Sequence, residues 1–172
     1  MKDFPIPTHL KSILKVDESL SDIRNLDEKI VCNCGCETFK ITHNNDREYN
    51  ESLSYSEQDG LKINIFCSNC NKKYLLFNQA KQGYDGFVCH ECKTANDNTL
   101  TALKCKKCGS DIFSVTLGIE VEDKEQFIEE CVNEFPDDFT SEDFVNAFNW
   151  IVVTIKCCNC GDVDEWINLE LS

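Results

Sequence analysis

Apolar and polar residues alternate in several short stretches of the chain, and this period of two predicts a protein built mainly of β-strands. Strands are predicted at residues 39–42, 61–65, 73–77, 112–121, 150–155 and 166–171. Residues 43–60 are polar and predict a loop between the first two strands. Residues 78–104 contain Gly83, Gly86 and a polar run, and they predict a connection between two halves with a flexible joint at 93–100.

Two further segments have apolar residues at helical spacing. In residues 8–30 the spacing predicts one or two short amphipathic helices that pack on the first sheet, with a partner-binding helix as the alternative. Residues 123–135 predict a helix that ends before a proline, and a helical turn follows it. The second half is therefore expected to carry a helical insert at about 123–148, in which Cys131 is a buried cysteine.

Thirteen of the 172 residues are cysteines. No apolar signal core follows Met1, so we expect reduced cysteines that bind metal rather than disulfides. Four pairs have C-x-x-C spacing, and a fifth pair, Cys32-Asn33-Cys34, is one residue tighter. Such a turn points two sulfurs at one place, and a second pair from a distant hairpin completes a tetrahedron around zinc. The four pairs are Cys67/Cys70, Cys89/Cys92, Cys105/Cys108 and Cys157/Cys160.

Two parts of the chain repeat each other. Residues 34–41 and 108–115 both read C-G-x-x-x-F-x-[I/V], and residues 65–70 and 155–160 both read I-x-C-x-N-C. The order in each half is the same, namely a cysteine knuckle, a strand, an insert, a second strand and a second knuckle. A tandem duplication explains this order better than chance does.

The alignment of the two repeats sorts the cysteines into ligands and other residues. Cys36 is matched by Ser110, and Cys158 is matched by Ser68. Neither cysteine is expected to bind metal, because serine is not a usual zinc ligand. The repeat predicts two structural zinc sites, one in each half. Their ligands are Cys32, Cys34, Cys67 and Cys70 in the first site and Cys105, Cys108, Cys157 and Cys160 in the second.

The residues that follow the knuckles support this assignment. Gly35, Gly109 and Gly161 each follow a proposed ligand directly. This position often requires a left-handed backbone, which glycine adopts without strain. Asn71 takes the same place after Cys70, and asparagine is the next most tolerant residue.

The pair Cys89 and Cys92 is not placed by the repeat, and its role stays open. It can complete a four-cysteine site with the knuckle at 105–108, because C-x2-C-x12-C-x2-C is also a zinc-binding spacing. That pairing would leave the last cysteine pair of the chain without a partner. A third zinc ion at Cys89 and Cys92 would need two further ligands, for which His90 and His43 are the candidates.

On these residues the chain resembles the zinc-ribbon superfamily, as a tandem duplicated ribbon. The stretch at 75–77, followed by Gly-Tyr-Asp-Gly at 83–86, is also similar to uncharacterised bacterial zinc-ribbon proteins. The resemblance implies an α+β fold with two zinc-ribbon-like lobes of small antiparallel sheets and peripheral helices. We expect an N-terminal helical segment at 1–30, a first lobe at 31–92 and a second lobe at 93–172.

The formal charge of −14, from 31 acidic and 17 basic side chains, bears on the partners. Residues 111–150 hold twelve acidic side chains and one basic one. This stretch is either a solvated face or a docking surface for a basic protein. Nucleic acid is not expected as a partner, because the lysines cluster only at 72–73 and 104–107. No apolar run reaches the ~18 residues that cross a membrane.

Two closed four-cysteine sites predict structural rather than catalytic zinc, since a catalytic zinc keeps an open coordination position. The chain is therefore predicted to be a cytoplasmic, non-enzymatic protein-interaction module that binds two zinc ions. An inhibitor or immunity-type role toward a basic protein is one form of this function. One alternative is a nucleic-acid-associated accessory factor of the transcription type. The other is a thiol redox protein that uses Cys89 and Cys92.

Overall fold

The computed structural model describes residues 6–16, 25–121 and 123–171. Its dominant element is one antiparallel sheet of eight strands, so the antiparallel character predicted from the sequence is confirmed. The strands are β1 (Asn25–Lys29), β2 (Phe39–His43), β3 (Lys62–Cys67), β4 (Lys73–Asn78), β5 (Thr101–Ala102), β6 (Phe113–Glu120), β7 (Trp150–Cys157) and β8 (Val163–Glu170).

The strands of both halves join in this one sheet. Its order is β4-β3-β2-β6-β7-β8, with β1 beside β6 and β5 beside β2. The junction between the β2 and β6 hairpins is one antiparallel residue pair, Phe39 and Phe113, which are equivalent residues of the two repeats. A single hydrophobic core also spans both halves. The small sheets expected from the sequence are therefore continuous, and the division into two lobes stays a prediction.

The strand registers follow the repeat. In each half, the phenylalanine after the first knuckle pairs with the first cysteine of the second knuckle, Phe39 with Cys67 and Phe113 with Cys157. The hairpins β3–β4 and β7–β8 each contain one register shift, at the same distance before that cysteine. Each half thus brings the end of its second strand to the knuckle that precedes its first strand.

The core follows from the alternation of side chains along the strands. Val115, Leu117 and Ile119 of β6 are buried, whereas the residues between them are partly exposed. Ile151 and Val153 of β7 continue the same buried face. Removing these branched side chains from water stabilises the sheet, at about 25 cal/mol for each Å² of apolar surface.

The N-terminal segment differs from the helices expected at 8–30. Its described residues form one 3-10 turn, Thr8–Leu10, and then strand β1, which pairs with β6. Residues 17–24 lie outside the described part of the chain. Leu26 and Ile30 are four residues apart and both buried, a spacing that suits a strand as well as a helix. A strand forms because the edge of β6 has backbone N–H and C=O groups that residues 25–29 can pair with.

The helical insert expected at about 123–148 is present in a shorter form. Helix α1 (Lys124–Phe127) continues into a π-helical turn, Ile128–Val132, and a 3-10 turn spans Asp143–Asn146. Cys131 is buried, as predicted. No helix in the described residues is long and apolar enough to cross a membrane. The insert forms a second small core of Phe127, Cys131, Phe139 and Ala147, against which Tyr84, Phe87 and Val88 pack.

Candidate metal centres

The first cysteine cluster joins the turn after β1 to the turn between β3 and β4. The sulfurs of Cys32, Cys34, Cys67 and Cys70 all lie within 4.8 Å of one another. The Sγ atoms of Cys32 and Cys70 are 3.6 Å apart, and those of Cys34 and Cys67 are 3.5 Å apart. With Zn–S bonds of about 2.3 Å, the edges of a ZnS₄ tetrahedron are about 3.8 Å long. The four sulfurs therefore have the spacing that a tetrahedral ion requires.

The turns that present these sulfurs are built by backbone hydrogen bonds. The N–H of Gly35 donates to the carbonyl of Cys32 at 2.8 Å, and the N–H of Asn71 donates to the carbonyl of Cys67 at 2.9 Å. Both donors have a left-handed backbone, with φ of 85° at Gly35 and 56° at Asn71. The left-handed positions predicted after the knuckles are thus confirmed in the first half.

The second cluster has the same composition and the same pattern of burial. The sulfurs of Cys105, Cys108, Cys157 and Cys160 also lie within 4.8 Å of one another. The Sγ atoms of Cys105 and Cys160 are 3.6 Å apart, as are those of Cys108 and Cys157. In both clusters the first cysteine of each pair is buried and the second is exposed. The structure thus places the eight thiols in two groups of four, one group in each half, as the repeat predicts.

The turns of the second cluster repeat those of the first. Gly109 and Gly161 have φ of 72° and 75°, and their N–H groups donate to the carbonyls of Cys105 and Cys157 at 2.8 and 2.9 Å. The tighter first knuckle of the chain closes with the same bond from its glycine. A backbone hydrogen bond from Cys160 is the main cause that lowers the pKa of Cys157 to about 6. Such bonds favour the thiolate, which is the form that binds metal.

Tyr74 supports the first cluster from behind. Its hydroxyl lies 3.2 Å from Cys32 Sγ and accepts a hydrogen bond from the N–H of Asn33 at 3.4 Å. Burial raises the pKa of Tyr74 to about 12, so the phenol keeps its proton and donates it to the sulfur. Asp164 stands at the equivalent position of the second half, so the two clusters differ here. No sequence motif marks Tyr74; its position in the strand after the knuckle is the available signal.

The two cysteines that the repeat excludes lie outside both clusters. Cys36 Sγ is 3.3 Å from Thr38 Oγ1 and 3.4 Å from Ser68 Oγ, in a small polar group at the surface. Cys158 is exposed, and its Sγ is 4.0 Å from the carbonyl of Lys156. Their placement agrees with the alignment of the two repeats.

The structure does not assemble a metal centre around Cys89 and Cys92. Among the described residues, the two clusters above are the groups of three or more side chains that could hold an ion, and neither His43 nor His90 belongs to them. The alternative pairing of Cys89 and Cys92 required Cys105 and Cys108, which belong to the second cluster. Burial raises the pKa of both thiols, and the nearby Glu91 adds to this shift. A redox-active thiol needs the opposite shift.

The lysines that a nucleic acid would need are engaged within the protein. Lys104, Lys106 and Lys107 each form a salt bridge with an aspartate, and so does Lys73. The ammonium of Lys72 lies 5.2 Å from the centre of an aromatic ring. Lys104 pairs with Asp111, Lys106 with Asp164, Lys107 with Asp162 and Lys73 with Asp97, and Lys72 lies over the ring of Tyr74. These contacts reduce the positive surface that is free to meet phosphates.

The carboxylates of the insert are arranged differently. Within the described residues, its exposed carboxylates form no salt bridge, and the one lysine of the insert, Lys124, lies over the ring of Phe144. Within the part of the chain that the structure describes, these carboxylates therefore form a negatively charged surface with no ion pairs. The carboxylates meant here are those of Glu125, Glu129, Glu130, Glu134, Asp137, Asp138 and Glu142.

Three comparisons with known proteins found no match to this chain. No protein-family model, curated protein or solved structure matches the chain. The resemblance to zinc ribbons therefore stays a prediction that rests on the cysteines, the glycines and the strands between them. The functional conclusions below rest on the geometry and the charge of the chain itself.

Proposed function

We propose that this protein is a zinc-binding, non-enzymatic interaction module whose partner is a basic protein. The observation that carries the proposal is the pair of four-sulfur clusters, each of which has the size of a ZnS₄ tetrahedron. Four thiolates complete the coordination of zinc and leave no position for water or substrate. Zinc at these places stabilises the fold and does not react.

The position of the clusters explains why zinc is needed. Each cluster ties two turns that are far apart in the sequence, for example Cys34 to Cys67 and Cys108 to Cys157. Each half contributes only a few strands, and small units often need a metal to reach stability. Ligands that far apart in sequence meet in the folded state, so the free energy of zinc binding becomes free energy of folding.

The charge of the surface supports a basic partner. The chain carries a formal charge of −14, and each zinc bound by four thiolates adds about −2 to the protein with neutral thiols. The insert presents carboxylates that the described residues do not neutralise. Such a surface attracts a positively charged protein and increases the rate of encounter. An inhibitor or immunity-type role toward that protein follows if the partner is an enzyme or toxin.

The metal part of the proposal is tested by counting ions. Native mass spectrometry of the protein purified without chelators should show two zinc ions for each chain. Replacement of zinc by Co²⁺ should give the visible absorption of tetrahedral thiolate coordination. A protein without metal, or one whose clusters are disulfide-bonded, would contradict the proposal.

The partner is tested with two matched double variants. Both Glu129→Gln/Glu130→Gln and Glu48→Gln/Glu51→Gln remove two exposed charges, the first pair from the insert and the second from the loop after β2. A basic protein captured from nuclease-treated host extract is purified, and its affinity is measured at low and high salt. We expect weaker binding in high salt and with the insert variant, and little change with the loop variant. Capture that disappears after nuclease treatment would indicate the nucleic-acid alternative instead.

A further inference from the structure

The face of the sheet that points away from the core carries an open groove of about 460 Å³. The groove lies over β1, β6, β7 and β8, and its volume is within the range of small-ligand sites, about 300–1,000 Å³. Its lining includes Asp27, Gly118, Glu120, Trp150 and Glu165. The groove adjoins the acidic insert, because the chain leaves β6 after Glu120 and returns to β7 at Trp150.

The floor of the groove is a position without a side chain. Gly118 lies within β6, where this strand pairs with β1 and β7 without a register shift, and its neighbours on those strands are Asp27 and Val152. A Cβ atom at this position would lie 3.2 Å from that of Val152. The glycine therefore lets the strands approach closely and leaves a low place in the face of the sheet.

The indole of Trp150 forms one side of the groove and is held in place by hydrogen bonds. Its N–H donates to Asn168 Oδ1 at 2.6 Å, and the side-chain amide of Asn168 donates in turn to Glu165 Oε1 at 2.7 Å. Trp150 is nevertheless partly exposed. A ring that is fixed in advance and open on one side binds a guest at a smaller cost in conformational entropy.

Two carboxylates flank this ring and have no cation of their own. Glu120 is the direct partner of Trp150 across β6 and β7, and Asp27 borders the floor from β1. Both side chains are exposed, and neither forms a salt bridge within the described residues. No lysine or arginine of the described residues lines the groove, and Lys29, two residues further along β1, is paired with Glu37.

We propose that this groove binds an arginine side chain of the basic partner, with the guanidinium against the ring of Trp150 and beside Asp27 and Glu120. Indole is the aromatic ring that attracts cations most strongly, and the planar guanidinium stacks on aromatic faces. Its five N–H donors allow one guanidinium to meet carboxylates on two strands, whereas the ammonium of lysine is a compact point charge. The inference rests on the proposed function for the identity of the protein that carries the arginine.

Other guests fit the groove less well. Among the described residues, its carboxylates do not belong to any group of three or more side chains close enough to hold a metal ion. An anion would meet three carboxylates and no cation in the described lining. An apolar guest would take the carboxylates out of water without giving them a partner, which is costly.

The two tryptophans of the chain provide a reporter and a reference. Each indole N–H gives one signal in a proton–nitrogen correlation NMR spectrum of the zinc-loaded protein, and the signal lost in Trp150→Phe identifies both. Trp166 does not line the groove and contacts His43 instead, so its signal serves as the reference. The protein is titrated with the blocked tripeptides Gly-Arg-Gly and Gly-Lys-Gly, and with Gly-citrulline-Gly as the uncharged isostere of the first.

We expect the arginine peptide to shift the Trp150 signal in a saturable way and to leave the Trp166 signal unchanged. The lysine peptide should bind more weakly, and the citrulline peptide should have no effect. Asp27→Asn and Glu120→Gln should each weaken binding about threefold, as expected for one exposed ion pair. Glu48→Gln, an equal change of charge on the exposed loop after β2, should have no effect. Circular dichroism and a count of two zinc ions show that each variant is folded.

Several results would overturn the inference. They are an equal response to the lysine or the citrulline peptide, the absence of saturation with the arginine peptide, and an unchanged affinity in both carboxylate variants. A shift of the Trp166 signal in place of the Trp150 signal would place the guest elsewhere. If Arg24→Gln strengthens binding of the arginine peptide, the chain itself competes for the groove, and the partner is not its occupant.

The inference and the proposed function fail in different ways. If the arginine peptide binds but no basic protein partner exists, the proposed function fails and the arginine site stands. If a basic partner binds with the same affinity to the unmodified protein and to Asp27→Asn and Glu120→Gln, the proposed function stands and the groove is not its site.

Discussion

The neighbouring cysteines Cys157 and Cys158 give the sharpest test of the two clusters. Cys157 is buried at the end of β7, and its sulfur lies 3.6 Å from that of Cys108. Cys158 is exposed and belongs to no cluster, and the first half has Ser68 in its place. We expect Cys157→Ser to lose the second zinc ion and Cys158→Ser to keep both. The two variants make the same chemical change at adjacent residues.

The size of the difference follows from the geometry. Structural zinc bound by four ligands contributes about 10–16 kcal/mol at neutral pH, so an equal share for one ligand of four is about 2.5–4 kcal/mol. This corresponds to a loss of about a hundredfold in zinc affinity. It is also a large part of a total stability of about 5–15 kcal/mol. Cys158→Ser changes an exposed side chain, for which less than about 0.5 kcal/mol is expected.

The assay is competition with a chelator of known zinc affinity, combined with native mass spectrometry and denaturant unfolding. Cys157→Ser should carry one zinc ion and unfold at lower denaturant, whereas Cys158→Ser should match the unmodified protein in both respects. If Cys158→Ser loses metal as readily as Cys157→Ser, the alignment of the repeats is wrong. If Cys157→Ser keeps two tightly bound ions, the second cluster is not the metal centre.

Three further predictions address the packing around the clusters. Hydrogen bonds from two lysines lower the pKa of Asp97, so Asp97→Asn should cost about 1 kcal/mol at pH 7, since the group is half exposed. This difference should shrink as the pH falls below about 4, where the carboxylate becomes protonated; urea unfolding at several pH values measures it. Burial lowers the pKa of His9 to about 4, and its Nε2 lies 3.1 Å from the carbonyl of Leu76. Because the neutral ring is favoured in the folded state, its contribution to stability is present above pH 6.5 and is lost as the pH falls toward 4. His9→Gln has no group that titrates there, so in the same unfolding series its stability should fall by up to about 3 kcal/mol less over this range. Phe39→Ala and Phe113→Ala should each cost about 3–5 kcal/mol in denaturant unfolding, because both rings are buried at equivalent positions. A difference between them of more than about 2 kcal/mol would show that the two halves do not pack alike.

The two repeats also show where the halves differ. Tyr74 supports the first cluster with a hydroxyl, while Asp164 stands at the same position near the second cluster and forms a salt bridge with Lys106. The first half carries a polar loop between its two strands, and the second half carries the acidic helical insert. The shared parts of the halves form the two cysteine clusters, and the differing parts form the surfaces to which we assign the partner.

Local spacing in the sequence was sufficient to predict which neighbouring cysteines share a turn. Two cysteines separated by one or two residues share a turn whatever the rest of the chain does, and the left-handed residues after them close that turn. The repeat then indicated which turns meet, and the period of two located six of the eight strands to within a few residues. These features depend on the conformation of a few consecutive residues, which the side chains there determine.

Tertiary structure alone decided which distant backbones pair. Residues 25–29 form a strand because β6 has a free edge there, although their apolar spacing also suits a helix. The pairing of Phe39 with Phe113 joins the two halves of the sheet, and the rings of His43 and Trp166 meet edge to face across the halves. Residues that meet in these contacts are about 70 or more positions apart, so no local pattern encodes them; they form because unpaired backbone groups and apolar side chains must find partners in the folded state.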